Sequence, residues 1–555
     1  MLYFYQKILE EIRKEAEKAQ EGAARLVEKP RKGFGDFALP CFAFGGNPVE
    51  TAQRISEKIK ISGAEARAEG PYVNFYINWS NATGKIIKEA TGKRKKTKKD
   101  KTALIDYSHP NPAHPFHMGT VRTTLLGEAL ARILESEGWI VKRIPYMNDL
   151  GRQAMLALLG YMKYANGKKP QGKEDVWLGG IYFRINKEVE GHEKLERELS
   201  ELIKKYETGD AKTRALGKRL FSWCINGFEK NYKTLGIKFD GYAWESAFAK
   251  ESKKIVKELM KKGYASEKEG AIVLDLEGHG LPSTIIQRSD GTGLYLTREL
   301  AHTLWRFEKH KPDLNLYVVA EDQKNHFMQL FKTLELLGYK DYAEKSRHIS
   351  YSIVLLEGEK MSARRGHAVL WDDLLDEGIK LAGKEIKRRW KKMRGAALAR
   401  RAKEIALGAI IYYILRYEPN KPVNFLWQQA LAFEGNTGPY LQYTHTRANA
   451  ILKKVKAKKI SGKMSEPAAD EEINLIRLIA QYPAALQKAA EAMQPHVLCN
   501  YLYSLAEAFN SFYEKVPVLK AENEERKFRL ALVQAVENIM KDGLHLLAIP
   551  VPERM

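Results

Sequence analysis

Apolar positions recur along the chain at two periods, and the places where the period changes divide it into units. Residues 1–90 combine an amphipathic opening helix, a glycine-punctuated "KGFGDFALP" and the alternating strand "PYVNFYIN", which predicts a small α+β domain. The run "GKRKKTKKDK" falls in a basic linker at 91–101. It reads as a solvated connection or as a contact to a phosphate backbone.

From residue 102 the pattern becomes strand, turn, helix, strand. "TALIDYS" and "WIVKRIPYM" are β-prone, and between them "LLGEALARILESEG" spaces Leu126, Leu130, Ile133 and Leu134 at helical intervals before stopping at Gly138. A second set follows: the strand "NLYVVA", the helix "KNHFMQLFKTLELLG" and the strand "HISYSIVLL". Two α/β segments separated by a largely helical stretch predict one Rossmann-like parallel-sheet domain over 102–394, with a helical insertion at about 160–270. Residues 395–555 are helical in period almost throughout, which predicts a C-terminal α-helical bundle. The fold class expected is therefore multidomain, α/β plus α.

Length and charge sharpen this picture. A chain of 555 residues exceeds one ordinary core, and an excess of 92 Lys+Arg over 69 Asp+Glu favours a polyanionic partner, nucleic acid first. The 3 cysteines, Cys41, Cys224 and Cys499, are far apart and odd in number, which supports neither a disulfide framework nor a cysteine metal site and fits a reducing cytoplasm. No segment has the run of apolar residues that a signal peptide or a membrane span requires, so no membrane partner is expected.

The chemistry concentrates in "SHPNPAHPFHMGT", residues 108–120, which holds His109, His114 and His117. A metal site, a proline-stiffened surface loop and a nucleotide-binding turn are the three readings. The prolines at 110, 112 and 115 keep the imidazoles on an extended chain without a carboxylate or thiolate at helix spacing, which disfavours a metal. The position, between a buried-type strand and the start of a helix, is where open α/β sheets bind ligands and where helix N–H groups meet phosphate. Gly119 allows close approach, and His117 can donate a hydrogen bond to a phosphate oxygen as charge builds there.

"HPFHMGT" resembles the first signature of class I aminoacyl-tRNA synthetases, and "GEKMSARRG" resembles their mobile second signature. The segments "SDGTGLYLTRELA", "VVAEDQKNHF" and "EGNTGPYLQYTHTRANAIL", with the terminal "VPERM", are similar to the arginyl-tRNA synthetase family over nearly the whole chain. The resemblance implies ligation of L-arginine to tRNA(Arg) with ATP, by a cytoplasmic monomer. Magnesium would be carried on the ATP and no metal held by the protein.

Residue by residue, the resemblance implies catalytic roles for His114, His117, Gly119, Thr120, Lys360 and Ser362, and ATP contacts from Pro115, His117, Gly119, His326, Lys360 and Met361. It implies an arginine pocket of Asp106, Asn111, Tyr295, Glu299 and Gln323. Transfer RNA would meet Tyr72 and Asn74 in the N-terminal domain, and Asn436, Tyr440, Gln442, Tyr443, Arg447 and Met555 in the anticodon domain. Plainer readings stand beside these: Tyr295 as core packing, Glu299 as a surface charge, Gln323 and His326 as helix caps, Tyr72 and Asn74 as ordinary strand residues, and some of Asn436, Tyr440, Gln442, Tyr443 and Arg447 as helix packing.

The chain departs from the family pattern in several places. Asp106 stands where glutamate is common and Glu299 where aspartate is usual. His114 replaces a frequent lysine, Thr120 the signature's second histidine, and Ala363 the second lysine of the mobile segment. Arg364, Arg365 or a protonated His114 is expected to supply the missing cation. The departures also admit a tRNA-binding paralogue with a degenerate ATP site; a class I enzyme for another amino acid is the third reading.

Overall fold

The structure is a computed structural model; it describes residues 3–30, 33–92, 98–109, 111, 113–289, 291–356, 369–455 and 467–555, together with the backbone of 359–360. At its centre lies a four-stranded sheet in the order Ser346–Tyr351, Leu314–Ala320, Thr102–Asp106, Ile140–Arg143, with every neighbouring pair parallel. Strands form in each expected segment, but "WIVKRIPYM" is divided: Ile140–Arg143 joins this sheet, while Tyr146–Met147 pairs in parallel with Ala243–Trp244 in a separate two-stranded sheet. "HISYSIVLL" is broken as well: after Tyr351 the chain leaves the central sheet, and Val354–Leu356 pairs in parallel with Val423–Phe425 and antiparallel with Glu359–Lys360.

The helix Met118–Ser136 follows the first central strand and is buried on nearly all sides. Its closeness to the strand end requires glycine at 127, where a Cβ would lie 2.1 Å from the Tyr107 ring. The Tyr107 hydroxyl then donates to Glu128 at 2.6 Å. The helix therefore seats on the sheet with its N-terminus at the carboxyl end of the Thr102–Asp106 strand.

The insertion is mainly helical, with Arg152–Tyr164, Glu174–Val189, Glu193–Thr208, Ala211–Leu235 and Ala249–Lys261. It is followed by an antiparallel sheet of Ala265–Lys268, Ala271–Leu274 and Thr284–Gln287 that the helical reading did not anticipate.

In the N-terminal domain the helix Phe4–Ala19 buries Tyr5, Ile8, Ile12 and Ala16, one face at helical spacing, beside the antiparallel strands Phe37–Pro40, Tyr72–Ile77 and Ala64–Glu69. This domain docks on the C-terminal helices: Arg477 pairs with the buried Asp36 at 2.7 Å, and Asn538 donates to the Ala90 carbonyl at 3.1 Å. The C-terminal bundle includes Gly395–Leu415, Gly438–Lys454, Asp470–Ala492, His496–Lys515 and Asn523–Leu546. No helix among the described residues is long and apolar enough to cross a membrane.

Candidate active site

His117 is the N-cap of the helix Met118–Ser136, and its Nδ1 accepts the Gly119 N–H at 3.1 Å. One of the helix's unpaired N–H groups is thereby satisfied by the imidazole. Burial pushes the His117 pKa down to about 4, so the ring is neutral at physiological pH. With Nδ1 accepting, the proton sits on Nε2, which lies 3.5 Å from the Thr120 hydroxyl.

Both sides of this turn are braced. The Phe116 N–H donates to the buried Asp175 of the insertion at 3.1 Å, and Pro115 packs so tightly on the same insertion helix that a Cβ at Gly179 would come within 2.6 Å of it. The Phe116 carbonyl accepts the Trp371 N–H at 3.0 Å, and Met118 donates to Val369 at 3.4 Å.

His114 is only 8% exposed, and its ring packs edge-on against Tyr182 at 4.6 Å and beside Phe183 at 6.2 Å. Lys360 lies in the short strand opposite Leu355. Met361, Ser362, Ala363, Arg364 and Arg365 lie outside the described residues.

The expected amino-acid pocket gathers around the helix Tyr295–His310. Tyr295, Glu299, His302 and Arg306 recur along it at intervals of four, three and four, which places them on one face. Asp106, at the end of the first central strand, is buried, accepts the Tyr146 N–H at 2.9 Å and pairs with the buried Arg306 at 3.4 Å. Glu299 is equally buried. His302 Nδ1 lies 3.0 Å from it, and burial raises the Glu299 pKa.

Burial holds His302 well below its usual range, so a neutral Nδ1–H donates to Glu299. The Tyr295 ring stacks obliquely on His326 at 4.7 Å. Asp106, Glu299 and His302 bring ligand-type atoms within 4.8 Å of one another. The Arg306 guanidinium, paired with Asp106, puts a fixed positive charge beside this cluster, which disfavours a bare metal ion there.

Asn111 donates to Gln153 at 2.7 Å and accepts the Ala113 N–H at 2.9 Å. Gln323 begins the helix Lys324–Leu337 without a side-chain cap bond, so the capping alternative is not realised for it. Among the described residues neither hydrogen-bonds to the carboxylate pair. His302, Arg306, Tyr146 and Gln153 were missed by sequence reasoning. For His302 and Arg306 a signal existed, since both continue the Tyr295–Glu299 spacing.

Two expected RNA contacts are corrected. Gln442 is fully buried, its amide donating to the carbonyls of Glu404 at 2.9 Å and Pro550 at 2.8 Å. Asn74 is buried too, its amide held by Glu69 at 2.6 Å, so it does not face solvent. Tyr72 does, edge-on to Phe42 at 5.5 Å; Phe42 is 58% exposed and was not foreseen.

On the C-terminal bundle, Arg447 donates to Tyr443 and to Asn510 and lies over the rings of Tyr443 at 4.7 Å and Tyr513 at 4.8 Å. Asn510 also donates to the Tyr440 hydroxyl at 2.8 Å. Asn436 accepts from the Tyr412 hydroxyl, while Met555 packs partly buried against the helical core.

Residues 83–427 match the family model described as tRNA synthetases class I (R), catalytic domain, and residues 441–555 match the DALR anticodon binding domain. The arginine–tRNA ligase of Clostridioides difficile (strain 630) is 34% identical over 550 residues, 97% of each chain. That of Halothermothrix orenii is 33% identical over 570 residues, 100% of each. Among solved structures, Thermus thermophilus arginyl-tRNA synthetase superposes with a TM-score of 0.86 at 28% identity, covering 100% of both chains. The Plasmodium falciparum enzyme shares the fold, with a TM-score of 0.84 at 20% identity and full coverage of both chains.

Proposed function

The chain belongs to the arginine-specific class I tRNA synthetases and is an ATP-dependent arginine–tRNA ligase, and from that premise we propose how its residues divide the work. The observation that carries the reading is the facing of two buried carboxylates, Asp106 and Glu299, beside Arg306. Asp106 already has a cation in the fold. Glu299, with Tyr295 at its side, is the group left to take the substrate's guanidinium, which a carboxylate binds with two parallel N–H bonds. Asn111 and Gln323 complete the pocket around the rest of the amino acid.

The arginine carboxylate attacks the α-phosphorus of ATP, the bond to the leaving pyrophosphate breaks, and arginyl-adenylate forms. A terminal ribose hydroxyl of tRNA(Arg) then attacks the adenylate's carbonyl carbon, and AMP leaves. His117 Nε2–H donates to a phosphate oxygen as charge builds, with Gly119 and Thr120 beside it. Catalysis here is chiefly positioning and charge stabilisation.

Lys360 and Ser362 act from the second signature, and Pro115, His326 and Met361 border the nucleotide. Arg364 or Arg365 supplies the cation that Ala363 lacks, because His114 is packed among rings. Magnesium rides on the phosphates.

Transfer RNA lies along the basic chain, with Tyr72 and Phe42 meeting it in the N-terminal domain and Tyr440, Tyr443, Asn436 and Met555 in the bundle, where Arg447 holds the rings of Tyr443 and Tyr513 together and the exposed Tyr513 ring meets a base. The division into 1–90, 102–394 and 395–555 follows these roles. The enzyme works as a monomer in the cytoplasm. An aminoacylation assay with total tRNA, ATP and each amino acid separately tests the reading: arginine alone should be charged, and tight tRNA binding without charging would overturn it.

A further inference from the structure

Arg122 is buried in the helix Met118–Ser136, and among the described residues none of its hydrogen bonds goes to a carboxylate. Its Nη1 donates to the Ile353 carbonyl at 2.8 Å, and its Nη2 donates to Pro419 at 2.8 Å and Lys421 at 2.7 Å. Two of these carbonyls also accept ladder bonds: Ile353 from the Val423 N–H at 3.0 Å and Pro419 from the Ser352 N–H at 2.9 Å. The guanidinium therefore clasps the point where Val354–Leu356 and Val423–Phe425 begin to pair.

Burial lowers the Arg122 pKa to about 10, against the opposing effect of Tyr351 and Glu321, so the group is still a cation at neutral pH, and a buried cation whose hydrogen bonds go to carbonyls is costly to keep. An apolar side chain would fill the same space without that cost. What the fork adds is geometry, since it holds three chain segments at once in fixed relation.

Those segments matter because of what they carry. Five residues upstream on the same helix is His117; the clasped strand Val354–Leu356 pairs with Glu359–Lys360, Leu355 standing opposite Lys360. Helix and hairpin belong to different elements, and Arg122 is a side-chain bond between them placed directly at the hairpin's root.

We propose that Arg122 is a positioning residue for adenylate formation, setting the strand that bears Lys360 at a fixed place relative to His117. The proposal rests on the assignment of His117 and Lys360 to the ATP phosphates. It makes Arg122 act through Lys360 and not through substrate binding.

The test is arginine-dependent ATP–pyrophosphate exchange by the full-length protein in the presence of tRNA(Arg), using R122M, R122K, K360M and the two double variants. R122M is expected to lower kcat by about tenfold to a hundredfold while the KM for arginine stays within about twofold. R122K, which keeps the charge but not the fork, should fall between it and the parent.

In R122M/K360M the loss should not exceed that of K360M by more than about twofold, because residues acting as one unit are not additive. Should R122M fail to fold by circular dichroism, R122K with R122K/K360M gives the same cycle. A slow K360M on which the Arg122 substitution multiplies would overturn the positioning role alone. Exchange by K360M at the parent rate would overturn the Lys360 assignment and the proposal with it.

Discussion

Nδ1 of His117 accepts the backbone N–H of Gly119, and this one bond decides where the imidazole keeps its proton. A ring that caps its own helix through Nδ1 must carry hydrogen on Nε2, and burial, by pushing the pKa to about 4, keeps it neutral. The helix N-terminus thus presents a fixed donor, where a surface histidine would present a group changing charge near neutrality.

Gly119→Ala tests that arrangement. The new Cβ would stand 2.9 Å from Cε1 and 3.1 Å from Nδ1 of His117, so the ring must move, while alanine suits a helix better than glycine by about 1 kcal/mol. Displacing the ring gives up the cap, about 0.5–2 kcal/mol, which offsets that gain, so the melting temperature should change little, yet kcat for ATP–pyrophosphate exchange should drop by about tenfold to a hundredfold. His117→Ala should lose both, about 0.5–2 kcal/mol of stability with the cap and about a hundredfold or more in kcat. A step in the kcat–pH profile between pH 6 and 8 that disappears in His117→Asn would contradict a pKa near 4.

The carboxylate pair predicts a pH dependence of arginine binding. Burial raises the pKa of Glu299, so as pH falls the carboxylate takes up a proton earlier than an exposed glutamate would at about 4.3. A guanidinium binds the ionised form. The KM for arginine should therefore be lowest above the raised pKa and climb as pH falls through it, measurable by exchange kinetics from pH 8 downward. Because Asp106 and Glu299 face each other, Glu299→Asp should raise the KM by about tenfold or more, and D106E/E299D should recover part of that loss. Purely additive losses would show that the two lengths are not matched across one pocket.

Gln442 predicts the opposite kind of effect, on stability and not on binding. Its amide joins the carbonyls of Glu404 and Pro550, and it fits only because residue 408 is glycine, where a Cβ would lie 2.5 Å from the amide. Gln442→Ala should cost about 1–3 kcal/mol in denaturant unfolding by leaving buried carbonyls unpaired. At temperatures where the variant stays folded, its Kd for tRNA should match the parent's.

These residues also mark where the sequence was legible. The parallel strands and the helix Met118–Ser136 follow from local periodicity, and the pairing of His117 with Gly119 is a contact two residues apart. "HISYSIVLL" looked like one strand because its composition is uniformly β-prone. The break at Ser352 is imposed by a partner about seventy residues on, Val423–Phe425, and no local pattern carries that. Whether Gln442 meets RNA or packs is hidden from local pattern for the same reason, its cavity being made by a glycine in another helix. Glu299 was foreseen, but His302 and Arg306, which hold the carboxylates, lay on the same helical face and could have been found by continuing the spacing.

The bundle's aromatic surface separates stacking from charge. Arg447 lies between the rings of Tyr443 and Tyr513 and donates to Tyr443 and Asn510, so its guanidinium is engaged within the protein. Tyr513, 40% exposed, is the more exposed of the two rings and the one that can meet an unpaired base. Stacking of a base on an aromatic ring contributes about 1–3 kcal/mol and does not depend on salt, whereas each phosphate contact adds to the salt slope of binding. Tyr513→Ala should weaken tRNA binding by about tenfold at every salt concentration, leaving the slope of log Kd against log salt unchanged. Arginine-dependent exchange at saturating tRNA should be unaffected, since the ring lies in the bundle and, among the described residues, touches none of the groups around His117 or Glu299. A changed salt slope in Tyr513→Ala would mean that the ring serves to hold Arg447 toward a phosphate, and the stacking role would fall.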